Sequence, residues 1–344
     1  MKLFVFPGII EQNILAIGAR QIPYMRTAAF SALVKECEAL LLKLIGCHSG
    51  RVLFYTASGT AAMDAVVANY VSTKTRTLVV AGGSFGYRWR ELCQYYRIPC
   101  ETFEVPFARD IDYAALEQKI TAFKPEVLLC QHHETSSGQL YDMERITRLC
   151  RQAGTVLVSD VISSFLADPF SMDDPGVDIA VLSSQKGLNL PPGLSFVILS
   201  ERILKEKFAH LNFYLDIDEN LKNLNRGQTP YSPATTLFLQ LHARLLQIDA
   251  EGTVSIIERV RKNALFFREQ CRHNGWLVPA ETPSNCITGF QVHTDGYKIF
   301  GELLKEDIYI MPGGINNYLR VSHLGVQSPD DLASLADKIK QIDQ

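Results

Sequence analysis

Thr155-Val-Leu-Val-Ser-Asp160, Asp178-Ile-Ala-Val-Leu-Ser-Ser-Gln-Lys186-Gly and Pro191-Pro-Gly-Leu-Ser-Phe196 decide the fold of this 344-residue chain. The run 155–159 is apolar and β-branched, the pattern of a buried strand, and Asp160 stands at its C-terminal end. The run 178–183 is a second such strand, followed three residues later by Lys186. In open parallel α/β sheets, ligands bind beyond the carboxyl ends of the strands. An acid and a lysine at two such ends can face one pocket.

Outward from this pair, strands and helices alternate. Strands are expected at 52–55, 77–81, 100–105 and 127–131, and helices at 30–45, 61–71, 112–123 and 142–152. Right-handed crossovers then give a mainly parallel sheet with helices on both faces. Ser58, Phe85, Thr135, Asp160 and Lys186 all follow strands, on one edge. The stretch 211–225 reads as irregular, 234–274 as one long helical region, and 286–342 as strand, helix, two strands and helix. The expected division is a large domain over 15–240 and a smaller α+β domain made of 1–14 and 241–344.

Composition narrows the function. The formal net charge is −3, so no strong field calls for nucleic acid or an anionic surface. No apolar run is long enough to span a membrane. The eight cysteines lack C-x-x-C spacing, which points away from zinc and disulfides and toward a reducing cytoplasm. His132-His133-Glu134 invites a metal reading, but adjacent residues on a strand point apart and no further ligands are apparent; no metal is expected.

Lysine can form a Schiff base with a carbonyl compound, and pyridoxal phosphate uses such a lysine with a partner at its ring nitrogen. Thr56-Ala-Ser58-Gly59-Thr60, between a strand and a helix, suits either an ordinary N-cap or an anion site built from free backbone N–H groups.

Ser184-Gln185-Lys186-Gly-Leu-Asn-Leu-Pro-Pro-Gly193 resembles the Schiff-base segment of class V aminotransferases, in the alanine–glyoxylate and serine–pyruvate branch. Asp160-Val-Ile-Ser163-Ser, Ser58-Gly-Thr-Ala-Ala-Met, Gly83-Ser-Phe85-Gly-Tyr-Arg-Trp, His132-His-Glu-Thr135-Ser-Ser-Gly and Arg320-Val-Ser-His-Leu-Gly resemble further segments of that family. The resemblance implies fold type I, a cofactor domain plus a small domain, and a homodimer using pyridoxal 5'-phosphate. By the same resemblance Lys186 and Asp160 are catalytic, with Asp160 on the pyridinium and Phe85 over the ring. Ser58, Gly59, Thr60, Gln185 and a partner's Thr229 would hold the phosphate, and Thr135 and Ser163 the ring side. Arg320 would grip the substrate carboxylate, with Gly8 and Arg26 nearby, although Met25 stands where the family usually has histidine. The expected reaction moves an amino group from alanine or serine to glyoxylate or pyruvate. A 2-aminoethylphosphonate donor is the alternative. A cysteine desulfurase or other lyase fits less well, since Phe85 and Gln185 replace the histidines usual there. A non-catalytic protein on the same fold would not need Asp160 and Lys186.

Overall fold

The computed structural model describes residues 1–344. Seven strands make the central sheet: β1 (Arg51–Tyr55), β2 (Thr77–Ala81), β3 (Cys100–Glu104), β4 (Val127–Gln131), β5 (Val156–Asp160), β6 (Ile179–Ser183) and β7 (Ser195–Leu199). Their spatial order is β1-β7-β6-β5-β4-β2-β3. Only β7 runs against its neighbours. Every residue of β2, β4, β5, β6 and β7 is buried, because helices cover both faces. That is why these strands read as continuous apolar runs rather than alternations.

The chain reverses its direction of travel across the sheet between β2 and β4. From β2 it steps outward to the edge strand β3, then returns to the other side of β2. The carboxyl ends of β2 and β4 therefore flank a switch point, where a crevice opens. Gln131 pairs with Asp160 and Asp160 with Val181, so the ends of β4, β5 and β6 lie in step.

The helix ends follow local chemistry. Thr27 caps Ala28–Ile45 by accepting from Phe30 N–H, and Gly46 stops it at φ 67°. Asp112, Asp142 and Asp295 cap later helices in the same way. Two stretches differ from expectation. The region 211–225 contains the helix Ile217–Leu224, capped by Asp216; its polar outer face hides its period. The region 234–274 is two helices, Thr235–Glu251 and Thr253–His273, broken at Gly252 with φ 84°.

A second, three-stranded antiparallel sheet holds β8 (Ile287–Gln291), β9 (Met311–Pro312) and β10 (Tyr318–Ser322), in the order β8-β10-β9. Its own core gathers Phe4, Phe267, Trp276, Phe290, Ile299, Leu319 and Leu335. The larger core includes Ile14 and extends along the helix Thr235–Glu251 as far as Ile248, beyond the boundary expected at 240. Phe4 and Ile14 belong to different cores, so residues 5–13 cross from one to the other. Hydrogen bonds hold this crossing: Ser322 N–H donates to the Phe4 carbonyl at 2.9 Å, and the Asn189 side chain to the Ile9 carbonyl at 2.9 Å.

Candidate active site

Lys186 sits in the turn between β6 and β7. The Ser184 hydroxyl donates to the Pro191 carbonyl at 2.8 Å, and Asn189 N–H to the Lys186 carbonyl at 2.8 Å. Gly187 is required here, since a Cβ would lie 1.9 Å from the Phe165 carbonyl oxygen. The turn thus fixes the lysine from its backbone outward. Its ammonium lies 3.5 Å from the centre of the Phe6 ring. Burial pulls the Lys186 pKa down to about 8, Cys286 and Asp160 oppose this, and Arg320 adds to it. A buried amine with a lowered pKa has a larger neutral, nucleophilic fraction.

Asp160 ends β5 and is buried. Its carboxylate accepts one protein hydrogen bond, from Ile162 N–H at 2.8 Å. Burial raises its carboxyl to about 7; the Ile162 N–H opposes this, Glu134 reinforces it, and Lys186 and Arg88 pull it back. A buried carboxylate with so few partners is completed by a cation.

Ser58, Gly59 and Thr60 stand at the start of the helix Gly59–Asn69. Ser58 makes no side-chain cap, so the ordinary capping role is not filled by its hydroxyl. Gly59 has no room for a side chain, since a Cβ would lie 2.7 Å from Ile162 Cδ1 and 3.1 Å from Ser183 Cβ. Thr60 Oγ1 accepts from Arg88 at 3.2 Å. The Ser183 hydroxyl and the Gln185 side-chain oxygen are buried without partners. Free helical N–H groups, a nearby guanidinium and the unpaired Ser183 hydroxyl, each able to donate, suit a phosphate.

Phe85 opens the helix Ser84–Tyr95, and the Arg88 guanidinium lies 5.2 Å from its ring centre. Glu134 holds this helix start from below. It is fully buried and accepts from Gly86 N–H and the Gln131 amide, both at 3.1 Å, and from Ser136 N–H at 3.1 Å. Beside it, the hydroxyls of Thr135 and Ser163 lie 2.6 Å apart. Arg320, on β10, donates to the Thr135 carbonyl at 3.0 Å and the Pro312 carbonyl at 3.1 Å, and its Nε–H is buried without a partner. The small domain therefore brings its arginine to the carboxyl ends of the large sheet.

Three further expected positions fall as follows. Gly8 meets Gly325 backbone to backbone, and a Cβ on Gly8 would lie 2.4 Å from the Leu324 carbonyl oxygen. Arg26 donates to the Gln228 side chain at 2.8 Å and to the Thr229 carbonyl at 3.0 Å. Thr229 Oγ1 donates to the Tyr231 carbonyl at 2.8 Å. Arg26 and Thr229 thus form one unit, with no recorded contact to Lys186, Asp160 or Arg320. Sequence reasoning missed Phe6 and Arg88. Arg88 lay inside a quoted motif; Phe6 gave no signal beyond its place before Pro7-Gly8. His133 hydrogen-bonds Ser163, and no group of three or more His, Cys, Asp or Glu side chains is arranged to hold a metal ion.

A buried amine, a buried carboxyl short of partners and a helix start lined by small residues match the three ends of a pyridine aldehyde phosphate. Residues 15–215 match the family model described as Aminotransferase class-V. The chain belongs to the class V aminotransferases. It is 31% identical to a "Soluble hydrogenase 42 kDa subunit" of Anabaena cylindrica, over 96% of this chain and 90% of the relative. It is 29% identical to the L-aspartate–glyoxylate aminotransferase of Paracoccus denitrificans, over 68% of this chain and 61% of that one. An alanine–glyoxylate aminotransferase structure from Nostoc sp. superposes with TM-score 0.92 at 25% identity, covering 98% of this chain and 93% of that one. The protein is thus a class V aminotransferase of fold type I, an enzyme of the pyridoxal-phosphate-dependent kind.

Proposed function

We propose that this aminotransferase moves the amino group of a small 2-amino acid, alanine or serine, to a short 2-oxo acid, glyoxylate or pyruvate. The observation that carries this reading is the pairing of Arg320 with Phe6 around Lys186. Arg320 offers one carboxylate clamp, with a buried, unpartnered Nε–H beside the two N–H groups already engaged. Phe6 presents an apolar wall 3.5 Å from the Lys186 nitrogen, which would favour a donor with a short side chain. The other arginine expected at the mouth, Arg26, is engaged by Gln228 and Thr229.

Bound in this pocket, pyridoxal phosphate would supply an electron-withdrawing ring joined to the substrate's Cα. Lys186 would hold it through its amine, and the same amine would be placed to move the proton at the substrate's Cα. Asp160 would keep the ring nitrogen protonated, and Phe85 would cover one ring face. Ser58, Gly59, Thr60 and Gln185 hold the phosphate, with Arg88 added by its bond to Thr60.

A homodimer fits the same reading. Phe213 is 82% exposed and packs at 5.5 Å on Tyr231, which stacks on Tyr214 at 5.2 Å, next to Thr229. Exposed aromatic clusters of this kind mark surfaces that associate. A second copy covering it would bring Thr229 toward the neighbouring phosphate site. Eight unpaired cysteines support a reducing compartment such as the cytoplasm.

The alternative donor is 2-aminoethylphosphonate. A transaminase of Vibrio vulnificus named for that substrate and pyruvate is 26% identical over 90% of this chain. Steady-state rates with alanine, serine and 2-aminoethylphosphonate separate the two readings. Alanine or serine is expected to lead; a phosphonate preference above about tenfold in kcat/KM, or about 1.4 kcal/mol, reverses the assignment.

A further inference from the structure

His133 is buried beside the site and has no place in the scheme above. Its Nδ1 lies 2.9 Å from Ser163 Oγ, and Ser163 Oγ lies 2.6 Å from Thr135 Oγ1. The three side chains are all 4% exposed or less, so no solvent intervenes. At its other end, His133 Nε2 is buried with no hydrogen-bond partner. Thr135 also anchors Arg320 through its carbonyl, at 3.0 Å. A continuous line of hydrogen bonds therefore runs from His133 to the wall that carries Thr135.

We infer that His133 is a positioning residue whose tautomer orders this line, so that Thr135 presents an O–H donor to the pocket. The inference rests on the functional reading above, because it is the bound cofactor that would receive the donor. The imidazole is neutral: burial first, then Lys186, His132 and Arg268, hold its pKa well below the ordinary value. A neutral ring has one N–H, on Nδ1 or on Nε2. With the proton on Nε2, a buried N–H is left without an acceptor. With it on Nδ1, Nε2 is left only as an unpaired acceptor. An orphan acceptor costs less than an orphan donor. Nδ1–H then donates to Ser163, Ser163 donates to Thr135, and the Thr135 hydrogen is the one left over for the pocket. A donor aimed at a ring oxygen favours the state in which that oxygen carries most negative charge, which is the deprotonated chromophore.

The test is a pH titration of the holoenzyme's visible absorption after loading with pyridoxal phosphate. Asp160, Lys186, Arg88, Glu134 and Arg320, the charged groups around the pocket, are unchanged in every variant. His133→Leu removes the Nδ1–H that sets the direction of the line, so that Thr135 can turn its hydrogen to Ser163, and is expected to raise the midpoint by at least about half a pH unit. His133→Asn keeps an N–H near the Nδ1 place and is expected to stay within about 0.2 units of wild type. A wild-type protein that takes up no cofactor overturns both the functional reading and the relay. A loaded wild type whose midpoint His133→Leu leaves unmoved overturns the relay alone. Should His133→Leu not fold, 15N NMR of the wild-type histidines, with the His133 signal assigned by its loss in His133→Asn, reads the tautomer directly. Protonation at Nδ1 supports the relay; protonation at Nε2 overturns it.

Discussion

The carboxyl edge of the large sheet and the crossing segment 5–13 meet at one lysine, yet they are built in opposite ways. On the sheet edge, each functional residue stands within five residues of the strand that places it. Asp160 is the last residue of β5, and Lys186 comes three after β6. In the crossing segment, placement comes from elsewhere: Phe6 reaches Lys186, 180 positions away, and Gly8 touches Gly325. The sheet edge supplies the reactive groups on a scaffold in which the strands that carry Asp160 and Lys186 are wholly buried. The crossing segment and Arg320 supply the walls, and they depend on how two cores sit together. Changes on the sheet edge should therefore stop chemistry whatever the substrate, while changes in the walls should alter which substrate is used.

The largest expected effect is at Lys186. Lys186→Ala should lower turnover by about four orders of magnitude or more, since both attachment and proton transfer depend on it. Borohydride treatment followed by mass spectrometry should find a pyridoxyl adduct at Lys186 in wild type and at no lysine in the variant. An adduct at another lysine in wild type removes Lys186 from the centre of the site. Asp160→Asn comes next, with a loss of about a thousandfold in kcat and cofactor still bound through the helix start. Asparagine matches the shape of the carboxyl, but it cannot hold a proton on the ring nitrogen. A near wild-type kcat would mean that the buried Asp160 carboxyl serves packing alone.

This contrast also explains what could be read in the amino-acid order. The strand ends were legible because buried parallel strands are short apolar runs, and the residue that follows each run is fixed in place by the run itself. Asp160, Lys186, Thr135 and Phe85 all follow from that local grammar. The buried role of Glu134 was not legible, since its partners Gly86 and Phe85 lie 48 and 49 positions away. The contacts of Arg26 were not legible either, since its partners, Gln228 and the Thr229 carbonyl, lie over 200 positions downstream. The break at Gly252 was missed for a different reason. Apolar spacing continues across it, and only the left-handed φ of one glycine turns the chain.

On the wall side, Arg320→Ala should lower kcat/KM about a hundredfold for any carboxylate substrate, the worth of about two charge-assisted hydrogen bonds. The borohydride adduct at Lys186 should form as in wild type, because the sheet edge is intact. Equal losses in adduct formation and in turnover would show that the two regions are not separable.

The smallest and most specific effect is expected at Phe6. Its ring faces the Lys186 nitrogen, and in the proposed reading it would limit how far a donor side chain can extend. Phe6→Ala removes that limit without touching Asp160, Arg320 or the helix start. An apolar pocket discriminates by about 1–3 kcal/mol per methylene at most, so the gain is bounded. The ratio of kcat/KM for alanine over leucine should fall about tenfold in Phe6→Ala, mainly through better use of leucine. Two outcomes would break the assignment. If alanine and leucine change by the same factor, the ring acts on Lys186 and not on the substrate. If the ratio does not move at all, the donor side chain leaves the pocket by another wall, and the crossing segment serves only to join the two cores.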